Sequence, residues 1–264
     1  MNLRTAMLPM LLLGTPALAA PPPAPVATVA KDQAAHKAAC DELAAAVVTG
    51  DDIEFQVDTM ISALLQAMQK GNPDLAQLEA AFPGLIDAIG AALKPVMVRH
   101  MQSILPSYRA DLSALYQENL TTEDALAAAA FFRRPEVRAF VSSINRSTDY
   151  KAISQDAVST EQVSDRAVKT DLSNAGVRAA RDLSPEQRKP IMDFFASPLG
   201  VKILALGPKK TAIDARWSNY STPAFEADMM QATGRAMVDH IAKTNPAAAK
   251  AIEAEFIRSG MIEP

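Results

Sequence analysis

Apolar residues recur at helical spacing along most of the chain. Ile53, Val57, Met60, Ile61, Leu64, Leu65 and Met68 form one stripe, the pattern of a helix with one face in a core. Asp51 and Asp52 favour its start, Lys70 and Gly71 its end. Asn72 and Pro73 open a short helix through Leu75 and Leu78, closed by Pro83. A longer stripe runs through Leu85, Ile86, Ile89, Leu93, Val96, Met97, Met101 and Ile104. Pro95 predicts a kink in it, and Pro106 the start of a new helix with Tyr108, Leu112 and Leu115. Residues 149–181 are more polar. Ile153, Ala157, Ala167, Val168, Leu172 and Ala175 fit one helical face there, as one exposed helix or two with a break near Ser159. Residues 209–220 read as a helix with Trp217; Phe225, Met229, Met230, Met237 and Ile241 mark another. Asn245 and Pro246 start the last, which ends at Ser259 and Gly260. No alternating strand pattern of useful length occurs. The prediction is an all-α, multi-helix fold.

One sentence of sequence is written twice. Leu120-Thr121-Thr122-Glu123 leads to Phe131-Phe132 and Pro135; at an offset of 63 positions Leu183-Ser184-Pro185-Glu186 leads to Phe194-Phe195 and Pro198. Thr121 and Ser184 are placed to cap helices, with Asp124 and Gln187 completing a capping-box shape, better in the second copy. Pro185 falls at the first helical position, where its missing N–H costs nothing. Ser197 and Pro198 start a further helix; Arg134 stands where Ser197 stands and offers no short acceptor. Two helix–break–helix repeats are therefore predicted, with the Phe pairs buried as packing devices.

The L-[ST]-x-E…F-F-x-S-P-x-G pattern from Leu183 to Gly200 resembles the domain of unknown function 2059 family of bacterial exported proteins. The first copy departs from it: Arg134 replaces the Ser, and Glu136 and Val137 replace Leu-Gly. The similar region covers about half the chain, residues 85–213. The resemblance implies a helical periplasmic protein and brings no activity or catalytic residues.

The start of the chain reads as an export signal. Arg4 is the positive end, residues 7–13 the apolar run, and Ala17-Leu18-Ala19 the small-residue cleavage site. The run is too short to span a bilayer, so the mature chain is expected to begin at Ala20, to be periplasmic and to lack a transmembrane anchor. Residues 20–30 are a Pro/Ala-rich tether, expected to be extended. An all-α domain fills residues 31–264, with repeat units near 84–146 and 147–213 and an alanine-rich helix over 31–48 at its start.

Composition adds three points. Abundant alanine and 49% hydrophobic content support a helical core. The net charge of −4 argues against a nucleic-acid partner. A single cysteine, Cys40, allows no internal disulfide and reads as a buried thiol.

Candidate chemistry is sparse. His36, His100 and His240 sit in separate helices, and no H-E-x-x-H, cysteine pair, Walker A, G-x-S-x-G or G-x-G-x-x-G occurs. No cofactor, metal ligand or catalytic residue is expected. The pairs Asp51-Asp52 and Glu123-Asp124 suit helix capping better than acid–base work. Charge is unevenly spread: residues 31–100 carry five basic and ten acidic residues, residues 178–216 eight and four. Arg178, Arg181, Arg188, Lys189, Lys202, Lys209 and Lys210 thus form a basic island, read either as solvated helix faces or as a docking surface for an anionic protein or lipid headgroups. The leading function is a non-enzymatic binding or interaction module. Two alternatives are a hydrolase using His100 or His240, and a carrier of an apolar ligand between the Met-rich stripes Met97–Met101 and Met229–Met230–Met237.

Overall fold

The computed structural model describes residues 26–264. The signal-peptide reading and most of the tether lie outside these residues. Thirteen helices follow one another and no strand occurs among the described residues: α1 (Val26–Val47), α2 (Ile53–Gly71), α3 (Pro73–Ala81), α4 (Leu85–Asn119), α5 (Thr122–Phe132), α6 (Pro135–Ser147), α7 (Lys151–Thr160), α8 (Asp165–Arg181), α9 (Pro185–Ala196), α10 (Pro198–Ala205), α11 (Gly207–Ser218), α12 (Pro223–Ala242) and α13 (Pro246–Arg258). The fold is all-α. Helix α1 begins at Val26, inside the stretch read as extended; the prolines stop at Pro25.

Helix α4 is the axis of the molecule, with α1, α2, α11 and α12 lying against it. Its first half packs Leu85, Ile89, Leu93 and Met97 onto Ile53, Val57, Ile61 and Leu65 of α2. Its second half joins Leu112, Leu115 and Tyr116 to Ala39, Cys40 and Leu43 of α1 and to the alanine face of α5. The expectation that Pro106 opens a new helix is corrected: Pro95 and Pro106 both lie inside α4. Each proline deprives a carbonyl four residues back of its N–H partner. Those carbonyls belong to Ala91 and Gln102, and both residues, like both prolines, are exposed. Water can satisfy the lost bonds, so the buried stripe holds the helix together across them.

The paired motifs fold with matching helix starts. Helices α5 and α9 start at Thr122 and Pro185 and reach Phe132 and Ala196; α6 and α10 start at Pro135 and Pro198. Thr121 accepts from Asp124 N, and Ser184 and Gln187 make a full capping box. At the breaks, Ser197 accepts from Gly200 N at 3.1 Å and donates to Phe194 O at 2.6 Å. Arg134 makes no side-chain cap; its guanidinium lies 5.6 Å from the centre of the Phe131 ring. Ser197→Ala is therefore expected to destabilise the protein by about 1 kcal/mol, and Arg134→Ser to be neutral or stabilising. Urea melts of the two variants check this; an unchanged midpoint for Ser197→Ala would remove the cap from the account.

The second helices of the two motifs pack in different places. Helix α6 lies on α8, while Leu199 and Ile203 of α10 pack into the core built by α1, α4 and α5. Between the motifs the four Phe rings form one cluster. Phe131 stacks on Phe194 at 3.6 Å and 6°. Phe131–Phe132 and Phe194–Phe195 both stand at 5.3 Å, at 77° and 78°. The cross distances Phe131–Phe195 and Phe132–Phe194 are 6.1 and 6.2 Å. Exchanging one motif for the other leaves the cluster unchanged, so it has local two-fold symmetry about the central stack. Val137 and Ile191 close it off from water.

Candidate functional site

A polar cleft of about 250 Å³ lies between the α1–α2 turn and α6. Arg138, Ser142 and Asn145 stand at helical spacing on α6 and face Thr49, Asp51 and Asp52. Arg138 donates to Asp51 at 2.8 Å, with both side chains more than half exposed, so the pair is worth little to stability. The pair Arg146–Asp52 differs. The Asp52 side chain is only 5% exposed, and Arg146 Nε donates to it at 3.1 Å. Asp52 occupies the N-cap position of α2 but makes no side-chain capping bond. The expected capping role is replaced by an ion pair across the cleft; the charge still sits at the positive end of a helix dipole. A carboxylate this buried and already paired suits binding or structure. No histidine or cysteine lines the cleft with the hydroxyls of Thr49 and Ser142, and the two carboxylates there, Asp51 and Asp52, are each paired with an arginine.

The α6–α7 junction below this cleft was not readable from the chain. Tyr150 has φ +51°, a left-handed conformation that a bulky residue rarely adopts. It starts α7 without a side-chain cap. The missing cap comes from α8, where buried Asp171 accepts from Ala152 N at 3.2 Å and Ile153 N at 3.0 Å. Burial, with the charges of Asp171 and Asp52 nearby, pushes the Tyr150 phenol well up. That shift favours the neutral hydroxyl and leaves the phenol unactivated. A second, open cleft, about 400 Å³, adjoins this turn and is lined by Asp58, Thr59, Ser62, Gln66, Asp149 and Lys151.

The basic island is spread over α8 to α11, and most of its side chains are bonded within the chain, although five of the seven are exposed. Arg178 donates twice to Ser147 O, at 2.6 and 3.1 Å, closing the C-terminus of α6. Arg188 donates to Ala180 O and Leu183 O at 3.2 Å each. Lys202 bonds Asp124 at 2.7 Å and Lys209 bonds Asn119 at 3.0 Å. Lys210 reaches Asp214 at 2.8 Å and Tyr108 at 3.3 Å. Lys189 pairs with Asp193 at 2.6 Å on an exposed face. Arg181 is exposed and makes no side-chain hydrogen bond or ion pair among the described residues. The seven do not form one free cationic face: Lys202, Lys209 and Lys210 pin α10 and α11 onto α4 and α5.

Tyr108, Lys210 and Asp214 form a part-buried polar triad. Tyr108 donates to Asp214 at 2.6 Å. Burial first, and then the Asp214 carboxylate, raises the Tyr108 phenol well above its usual range. Neighbouring Tyr116 is pushed up to about 12, again chiefly by burial. The Tyr108 hydroxyl thereby joins α4 to α11.

Each histidine is spent on the main chain. A carbonyl only accepts, so Nε2 is the donor in each case: His36 to Gln117 O at 3.1 Å, His100 to Tyr220 O at 3.3 Å, His240 to Pro83 O at 3.0 Å. Nδ1 of His36 then accepts from the Thr122 hydroxyl at 3.2 Å. His100 also stacks on Phe225 at 3.8 Å. The Glu79 carboxylate feels the charge of His240, but its oxygens accept from Gly84 N and Ile86 N, both at 2.8 Å. Burial alone would raise Glu79; these bonds outweigh it and hold its carboxyl below the usual range. Among the described residues no histidine is hydrogen-bonded to a carboxylate, and no group of three His, Cys, Asp or Glu side chains could hold a metal ion. Cys40 is fully buried, and burial raises its thiol, the state of an inert cysteine. Met97, Met101, Met229 and Met237 fill the seam between α4 and α12; Met230 is 49% exposed.

No family model, no curated protein and no solved structure matches the chain.

Proposed function

We propose that this chain is an exported helical binding module of the bacterial periplasm, with no catalytic chemistry of its own. In this reading it belongs with the domain of unknown function 2059 proteins and is built from two copies of one helix–break–helix unit. The observation that carries the non-enzymatic part is the use of the histidines. All three tie distant segments together through main-chain carbonyls, and none has the carboxylate partner that orients a general base. Export is supported by Arg4, the apolar run and Ala17-Leu18-Ala19. Duplication is supported by helix starts that match at the 63-position offset and by the two-fold Phe cluster. The two clefts are where a small ligand would be sought.

Two measurements test the reading. Expressed from its full reading frame in a Gram-negative host, the protein is expected in the periplasmic fraction with Ala20 as first residue. Cytoplasmic material still carrying Met1 would defeat export. The purified mature chain is expected to leave a panel of chromogenic esters, phosphates and glycosides uncut. Turnover that disappears in His100→Ala or His240→Ala would establish the hydrolase instead.

A further inference from the structure

The two copies of the motif differ on the face of α6 that lines the first cleft. Arg138, Ser142 and Asn145 stand there. At the 63-position offset they correspond to Val201, Ala205 and Pro208. The second copy thus folds with an apolar residue at all three places, and the polar stripe belongs to the cleft side alone.

The polar groups of the cleft have bonding capacity to spare. Arg138 touches Asp51 through one nitrogen and one oxygen, Nη2 and Oδ2. The other oxygen of Asp51, and Nε and Nη1 of Arg138, make no side-chain hydrogen bond among the described residues. Asn145 gives only its amide N–H, to Asp52 at 3.5 Å, which leaves its side-chain carbonyl open. The Ser142 hydroxyl has no hydrogen-bond partner among the described residues. Charge is balanced: Asp51 meets Arg138, and Asp52 meets Arg146. A ligand with one charge would lie beside both signs and be repelled by one of them. A ligand with both charges, set close together, finds an opposite partner for each.

We infer that this cleft binds a free α-amino acid with an aliphatic side chain, its carboxylate on the open edge of Arg138 and its ammonium on the open oxygen of Asp51. The inference deepens the binding-module reading above and rests on it. An α-amino acid carries both charged groups on one carbon, side by side as Asp51 and Arg138 are at 2.8 Å. The Arg138–Asp51 contact need not open, so the ligand completes a ring of alternating charges. Ser142 and Asn145 supply neutral hydrogen bonds beside it. The rest of the lining includes Ala46, Ala139 and Val141, which suit an aliphatic side chain and offer a third charge no partner. A volume of about 250 Å³ lies below that of drug-sized pockets and fits one amino acid better than a peptide.

The test titrates the mature chain, residues 20–264, with alanine, valine and leucine in a calorimeter. Saturable binding is expected for at least one of them. The amide of that amino acid, which lacks the carboxylate, and the matching carboxylic acid without the amine are each expected to bind about tenfold more weakly, the worth of one charge-assisted hydrogen bond. Arg138→Gln is expected to erase the preference over the amide and keep the preference over the plain acid. Asp51→Asn is expected to do the reverse, and Arg138→Lys to keep both. General damage to the cleft would not produce that crossed pattern. Both side chains are more than half exposed, and an unchanged circular dichroism melt shows that each variant is folded. Absence of saturable binding by all three amino acids, analogues that bind as tightly as the parent, or preferences unmoved by Arg138→Gln and Asp51→Asn overturn the inference. Turnover of the chromogenic panel and processing at Ala20 are scored separately. An inert, correctly processed chain that binds none of the amino acids counts against this inference alone.

Discussion

Phe131→Ala is expected to destabilise the fold by about 3–5 kcal/mol, the cost of emptying a large buried aromatic site. Phe131 is 3% exposed and touches all three other rings of the cluster. Its neighbours belong to both motifs, so the cavity cannot be filled by moving one helix. Phe194→Ala should cost somewhat less, because Phe194 is only part-buried. The double variant should fall short of the sum by about 0.5–1.5 kcal/mol, the coupling of a stacked aromatic pair. Urea melts of the two single variants and the double variant give all three quantities. A Phe131→Ala loss below 1 kcal/mol, or strict additivity, would mean that the stack holds nothing together.

Gly200→Ala is expected to cost about 1–3 kcal/mol, the usual range for overpacking. The sign is a contest. Gly200 lies inside α10, and helix propensity alone would favour alanine there by ~1 kcal/mol. Against this, a Cβ at Gly200 would overlap the carbonyl oxygen of Phe194 and the Cα of Phe195. These are main-chain atoms and cannot rotate aside. To make room, α10 must lift off the end of α9 and loosen the Ser197 cap with it. The matching residue of the first motif is Val137, 2% exposed, so that break is wide enough for a β-branched side chain. A thermal melt of Gly200→Ala unchanged from the natural chain would show that the second break opens just as easily.

Local chemistry explains what the sequence made readable. The motif caps Thr121, Ser184 and Ser197, and Asn72 and Asn245 elsewhere, bond the main chain within three residues of themselves, and such bonds follow from order along the chain. Helix α4 was misread because a proline marks a helix start or a tolerated interruption depending on whether the freed carbonyl meets water. That depends on which face is out. The basic island was harder still. Lys202 meets Asp124 and Lys210 meets Tyr108 at separations of 78 and 102 positions, so their charge reads as free until the chain is folded. The cleft left one trace, the stripe Arg138, Ser142, Asn145 and Arg146 along one face of α6. Asp171 capping α7 from α8 left none, since nothing in the sequence ties it to Ala152 and Ile153.

The symmetry of the Phe cluster bears on ancestry. A contact in which Phe131 meets Phe194 as Phe194 meets Phe131 is the kind that two identical subunits make across a two-fold axis. A shorter polypeptide with a single motif could bury its Phe pair against a twin through the same stack. Joining two such genes end to end would turn that dimer into one chain and free one half from the need to match. On that reading the first half would have kept its small alanines under α1, and the second would have drifted to an exposed Met192 where the first has buried Ala129.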